Sequence, residues 1–301
     1  MSIDYKYKDT VFSLVFSNQD VLRELYGALA GIEVPENEPV TINTLEGALF
    51  RSKQNDISFI IGGKVVVLIE HQSTINLNMP LRLLMYIARV YEQYVSHEKI
   101  YGTKQILIPW PEFIVFYNGT APYPEETTLK LSEAFEEAGV FGIGAEGQPA
   151  LELAAKVYNI NPKNNERLMG GSKTLKGYST FIDKVREYEG EKREEKEKLT
   201  ADERKEAMRE AVKWCIENKV LEDFLKQHST EVINMLFAEW DMETALKVER
   251  KEGWEEGKQE GKQEGKQENT LYVLDLFNQG LSAEEIRRRL EREVDGHTPN
   301  A

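Results

Sequence analysis

The chain is short of several things at once. It holds one cysteine, Cys215, in 301 residues. That excludes an intrachain disulfide and fits a reducing compartment, so a cytoplasmic setting is expected. No apolar run approaches the roughly 20 residues that cross a bilayer, so no membrane span is expected either. The opening residues MSIDYKYKDT have no apolar stretch of the signal-peptide kind. A basic excess is also missing. The net charge is −14, and neither half escapes it. Residues 191–301 carry 20 basic and 28 acidic side chains, and residues 1–190 carry 18 and 24. A global positive field for nucleic acid is therefore excluded. Any contact with DNA needs a local basic patch and a cation that neutralises acidic side chains. Such binding is weak and strongly salt-dependent.

What the chain does have is enough apolar material, at 41%, for one sizeable core and a second unit. Residues 8–30 carry Val11, Phe12, Val15, Phe16, Val21, Leu22, Leu25 and Leu29 at helical spacing. Asn18 or Asp20 is placed to interrupt that helix and cap a second one. Residues 40–50 read as a strand or strand-like arm. Residues 57–61 and 65–70 read as strands joined by Gly62-Gly63, with Val65–Ile69 apolar enough to be buried on both faces. Pro80 opens a helix over 80–97, because its missing N–H costs nothing there. Ile106–Ile108 and Phe113–Tyr117 are two further apolar runs, of which FIVFY is the better strand. Residues 123–147 read as polar loop with a short helix near Leu131–Ala138, and 149–158 and 163–189 as helical.

The second half reads as mostly helical. The run EGEKREEKEK at 189–198 is a solvated linker or exposed helix. Thr200 with Glu203, and Ser282 with Glu285, have capping-box spacing. Residues 256–267 are three copies of Glu-Gly-Lys-Gln. A flexible linker is the first reading, because like charges fall at i,i+4 and each glycine opposes helix by about 1 kcal/mol. A helix with a glycine stripe is the second. The expected organisation is residues 1–190 as one domain, 191–250 as a helical region, 251–269 as the repeat linker, and 270–295 as a short helical hairpin suited to oligomerisation.

The stretch NDISFIIGGKVVVLIEHQS, residues 55–73, concentrates the chemistry. Asp56 opens its first strand, and Glu70 and Gln72 close its second. Two carboxylates and an amide at one end of a hairpin can hold a hard cation such as Mg²⁺, which takes oxygen ligands and needs only one or two carboxylates. Glu70 and Gln72 are two apart, so they share a face, and His71 falls on the other. A strict two-residue turn would pair Asp56 with Ile69 and put the carboxylates on opposite faces. A shared cation therefore predicts a one-residue register shift, by a bulge or a three-residue loop. Solvated strand ends are the plainer alternative for the same residues.

At these positions the sequence resembles the recombination-promoting nuclease family, a transposase-like branch of the PD-(D/E)XK nucleases. The resemblance rests on KDTVFSLVF (8–16), NDISF (55–59), LIEHQSTINLNMPLRLLMYI (68–87), PEFIVFYNG (111–119) and the Tyr123-Pro124 pair. It covers roughly residues 5–190. It implies an α/β, restriction-endonuclease-like core, with a mixed central sheet flanked by helices, extended by C-terminal helices. It implies Mg²⁺-dependent DNA endonuclease activity, with Mn²⁺ as a substitute, leaving 5′-phosphate ends and linked to recombination or mobile elements. Carried over by position, Asp56 and Glu70 are the metal carboxylates and Gln72 stands where the wider superfamily has lysine. Asp9 matches an early acidic position in the first helix. An amide carries no charge, so transition-state charge would fall on the metal and on Arg82 or Lys53. A fold retained without catalysis, in a DNA-associated or oligomerising protein, is the competing reading.

Overall fold

A computed structural model describes residues 11–43, 56–71, 76–95, 97–136, 149–193 and 199–238, and further along 254, 258, 262, 271–273, 275–279 and 282–295. For Asp56, Leu68–His71, His97, Arg288 and residues 291–295 it describes the backbone alone. The chain divides into two compact units, Met1–Glu239 and Trp240–Ala301.

The first unit is built on a six-stranded mixed sheet. Its strands are β1 (Thr41–Ile42), β2 (Asp56–Ile61), β3 (Lys64–His71), β4 (Trp110–Tyr117), β5 (Glu126–Lys130) and β6 (Ala154–Asn159), in the spatial order β1-β2-β3-β4-β6-β5. The pairs β3–β4 and β4–β6 are parallel; the other three are antiparallel. The expected α/β class with a mixed sheet flanked by helices is what the chain forms.

Alternation divides the sheet into two buried faces. Ile57, Phe59, Ile61, Val66, Ile114, Phe116 and Tyr158 belong to one core. Helices α1 (Val11–Val15), α2 (Gln19–Ala30), α5 (Glu166–Gly171) and α6 (Lys173–Arg193) complete it, with α7 (Ala201–Glu217) and α8 (residues 222–238) outside them. Val65, Val67, Phe113, Val115, Tyr117, Ala155 and Val157 belong to the second core, covered by α3 (Met79–Tyr94). A short helix α4 (His97–Ile100) follows α3.

Local signals explain most of the helix boundaries. Asn18 caps α2, its side-chain oxygen accepting from the Asp20 N–H at 2.7 Å. Pro80 lies in the first turn of α3. Thr200 and Glu203 form the expected reciprocal capping box on α7. Residue 190, where the sequence suggests a domain boundary, lies inside α6. There α6 and α7 are tied together, Arg204 donating to Glu189 at 3.0 Å. Burial raises the Glu189 pKa, and the Arg204 guanidinium works against that rise.

Three expectations need correction. Residues 149–158 are not helical: Ala154–Asn159 is β6, held between β4 and β5. Its apolar residues alternate, with Leu153, Ala155 and Val157 buried on the α3 side. Residues 126–130 are strand β5 rather than loop, and Leu131–Ala134 is a 3-10 turn. The hairpin register is not shifted. Ile61 pairs with Lys64, Phe59 with Val66 and Asp56 with Ile69. Gly62 and Gly63 have φ of 53° and 74°, the two consecutive positive values that a type I′ turn requires. Such a turn matches the strand twist without adding a residue, so the glycines close the hairpin instead of displacing it. Gly63→Ala is expected to destabilise the unit by about 1–2 kcal/mol through its positive φ, measured by urea unfolding. Nothing lies near enough for a steric cost.

Cys215 is fully buried in α7, and burial pushes its thiol up to about 12. The native protein should resist a thiol-reactive dye near neutral pH and take up one equivalent in denaturant. Reaction at full rate without denaturant would contradict that burial.

In the second unit, Trp254, Lys258 and Lys262 are helical. Of these, Lys258 and Lys262 lie in the repeat, where they match the helix alternative; the rest of the repeat lies outside the described residues. The Lys258 ammonium sits 4.6 Å from the Trp254 ring centre one turn away. The last described helix, α9 (Ala283–Asp295), starts at Ser282, whose N–H and hydroxyl both donate to Glu285 at 2.9 and 2.6 Å. Among the described residues, no helix is long and apolar enough to cross a membrane.

Candidate functional site

The carboxyl ends of the parallel strands β3, β4 and β6 lie together. Glu70 pairs in register with Phe116, and His71 with Tyr117. Phe116 and Tyr158, neighbours in the next ladder, belong to the core shared with α1 and α6. Position 70 therefore falls on the α1–α6 face. Position 71 falls on the α3 face with Tyr117, as the period of two predicts. The Phe12 ring of α1 lies 6.0 Å from that of Phe116, so α1 begins close to the end of β3. In open α/β sheets the crevice beyond the carboxyl ends of the strands is where ligands bind.

Position 56 is different. Its pairing with Ile69 puts it, by alternation, on the α3 face and not on the face of position 70. It is also the first residue of β2. The side chains of Asp56 and Glu70, and all of Asp9, Lys53 and Gln72, lie outside the described residues. Among the described residues no three His, Cys, Asp or Glu side chains converge as metal ligands.

A polar network that sequence reasoning missed organises this end of the sheet. Asn118 comes directly after β4 and is buried. Arg186, next to Val185 at the end of the buried stripe of α6, donates to the Asn118 side-chain oxygen at 3.2 Å, to the Asn118 carbonyl, and to the Asn161 side-chain oxygen at 3.0 Å. Asn161 in turn donates to the Gly119 carbonyl at 2.9 Å and to Asn159 at 2.9 Å. Asn159 donates to the Tyr123 carbonyl at 3.0 Å. Tyr117 folds over Gly119, where a β-carbon would come 2.5 Å from the phenol oxygen, and donates to the Ala121 carbonyl at 2.7 Å. One guanidinium thus locks the loops after β4 and β6 together and leaves a positive charge on the α1–α6 face. Asn118-Gly119 is visible in the sequence only as a turn signal. The Arg186 contacts span 68 and 25 residues, a separation no local pattern encodes.

Arg82 belongs to α3, which covers the opposite face, and its guanidinium reaches the Met79 sulfur at 3.5 Å. Of the two arginines, Arg186 shares the face of position 70. A cavity of about 790 Å³ between α2 and α5 is lined by Asp20, Arg23, Glu24 and Arg167 among others. Neither Arg82 nor Arg186 lines it.

Residues 48–160 match the family model described as "Putative transposase, YhgA-like". The matched stretch runs from just before β2 through β3, α3, β4 and β5 to the end of β6, and so contains Asp56, Glu70 and Gln72 but not Asp9. This transposase-like stretch is the part of the sheet that carries the candidate site, and it fits the transposase-like nuclease resemblance read from the sequence. No curated protein and no solved structure matches the chain.

Proposed function

We propose that the chain is a Mg²⁺-dependent DNA endonuclease of restriction-endonuclease-like fold, acting in the biology of mobile elements or recombination. The observation that carries the reading is position 70. It puts a carboxylate residue at the carboxyl end of a central parallel strand, within the transposase-like stretch, beside the start of α1. The donor set fits a hard divalent cation in kind: Glu70 and Asp56 offer carboxylate oxygens, and Gln72 an amide. Bound there, Mg²⁺ would neutralise charge developing on a phosphodiester and acidify water. The protein groups have separate tasks. Glu70 and Asp56 are the proposed cation ligands, although the unshifted register puts position 56 on the opposite face of the sheet. Gln72 orients the attacking water or the phosphate through its amide. Arg186 fixes the loops around the site and supplies positive charge on that face, in a chain that is otherwise strongly acidic. Asp9, ahead of α1, orients the site or joins it.

Nicking of supercoiled plasmid in the presence of Mg²⁺ tests this directly. The wild type should nick, and Asp56→Ala and Glu70→Ala should not. Equal activity in all three would mark a contaminant. No activity in any would favour the second reading, a non-catalytic DNA-associated or oligomerising protein. The unshifted register and the net charge of −14 favour that second reading.

A further inference from the structure

The segment between α4 and β4 is apolar and uncovered. Ile106–Ile108 has a strand-like sequence, yet it joins no sheet. Tyr101 and Leu107 are each 85% exposed and Trp110 is 72% exposed, with Ile100 and Ile108 about half exposed beside them. Beside these residues, the outer side of α3 and the segment itself enclose an open cleft of about 510 Å³ lined by Tyr91, Val95, Ile100, Ile106 and Ile108. The Tyr91 hydroxyl donates to the Pro109 carbonyl at 2.7 Å and pins the segment to the helix. The surface these five residues expose is on the order of 700 Å². That approaches the roughly 800 Å² per partner of a standard interface.

We propose that two copies of the chain associate through this surface, with Leu107 and Tyr101 of one copy seated in the cleft of the other. A projecting apolar pair next to an apolar cleft is self-complementary, which is the requirement of a twofold contact. Charge points to the same occupant. Copies of a chain with net charge −14 repel over most of their surface. Here Lys99 and Lys104 stand in the same cleft as Glu92, so opposite signs can meet across a twofold axis. Among the described residues both sheet edges are short. β1 is two residues long, and β5 is a short strand bounded by Glu126 and Lys130. This surface belongs to the first unit. It does not depend on catalysis.

Sedimentation velocity on the full chain over a concentration series tests the proposal. The wild type should form a species of twice the 34.6 kDa chain mass. The double variant Leu107→Lys with Tyr101→Lys should weaken the dimer by at least about 100-fold. Ile32→Lys, on the exposed C-terminal side of α2, should leave it unchanged. Circular dichroism and thermal melting check that each variant is folded. Should the lysines depress folding, Leu107→Ser with Tyr101→Ser carries the same test. A wild type that stays monomeric would overturn the proposal. So would a double variant that dimerises as well as the wild type, which would move the contact to another surface.

Discussion

Glu70→Ala is expected to lower Mg²⁺-dependent plasmid nicking by about 10³-fold or more, while the melting temperature changes little. Position 70 lies near the carboxyl end of β3, in register with Phe116 and one residue before the end of the ladder. Its role in the proposed function is to hold the cation, and no other carboxylate residue lies in β3. Three comparisons sharpen the result. Glu70→Gln keeps the shape but removes the charge and should be nearly as inactive. His71→Ala should retain most activity, because position 71 pairs with Tyr117 on the α3 face. Asp56→Ala tests the partner carboxylate, which the unshifted register places on the other face. If both carboxylates hold one cation, its loss should match that of Glu70. Full activity in Asp56→Ala, with none in Glu70→Ala, would mean that the cation is held on the α1–α6 face alone.

Phe12→Ala should destabilise the first unit by about 3–5 kcal/mol, the range for removing a buried aromatic ring. Phe12 is fully buried. Its ring meets Phe16 at 4.7 Å, Tyr178 at 5.6 Å and Phe116 at 6.0 Å. It thereby joins α1 to α6 and to the strand beside β3. For a unit of this size the loss corresponds to a fall in melting temperature of roughly 10 °C. Urea unfolding and thermal melting both read it. Because α1 begins beside the end of β3, the surviving folded protein should also cleave more slowly than wild type. Phe12→Leu, which keeps much of the volume, should restore most of the stability. A Phe12→Ala protein as stable as wild type would show that the three rings do not anchor α1.

The helical framework was largely legible from local chemistry. Asn18, Pro80 and the Thr200–Glu203 pair each mark an N-terminus because the signal lies within a turn of the helix it starts. Central strands were legible where they are apolar on both faces, as in Val65–Val67. β6 was not. Ala154, Ala155 and Lys156 are good helix formers, and their strand conformation comes from pairing with β4 and β5 on either side, a tertiary effect that overrides propensity. β5 is a short edge strand whose Glu-Thr-Thr sequence reads as loop. The hairpin register failed for a sharper reason. Two glycines permit both a bulge and a tight turn, and the tight turn satisfies the strand twist without an extra residue. The position of Glu70 could be read from a polar residue ending a buried strand. The Arg186–Asn118–Asn161 network could not, since its members meet only after α6 has docked on the sheet.

Crystals of the protein soaked in Mn²⁺ and measured for anomalous scattering give the most direct test of the metal site. One strong peak is expected at the carboxyl end of β3, within bonding distance of a Glu70 carboxylate oxygen and of Asp56. A peak that touches neither residue, or no peak at saturating Mn²⁺, would contradict the proposed site.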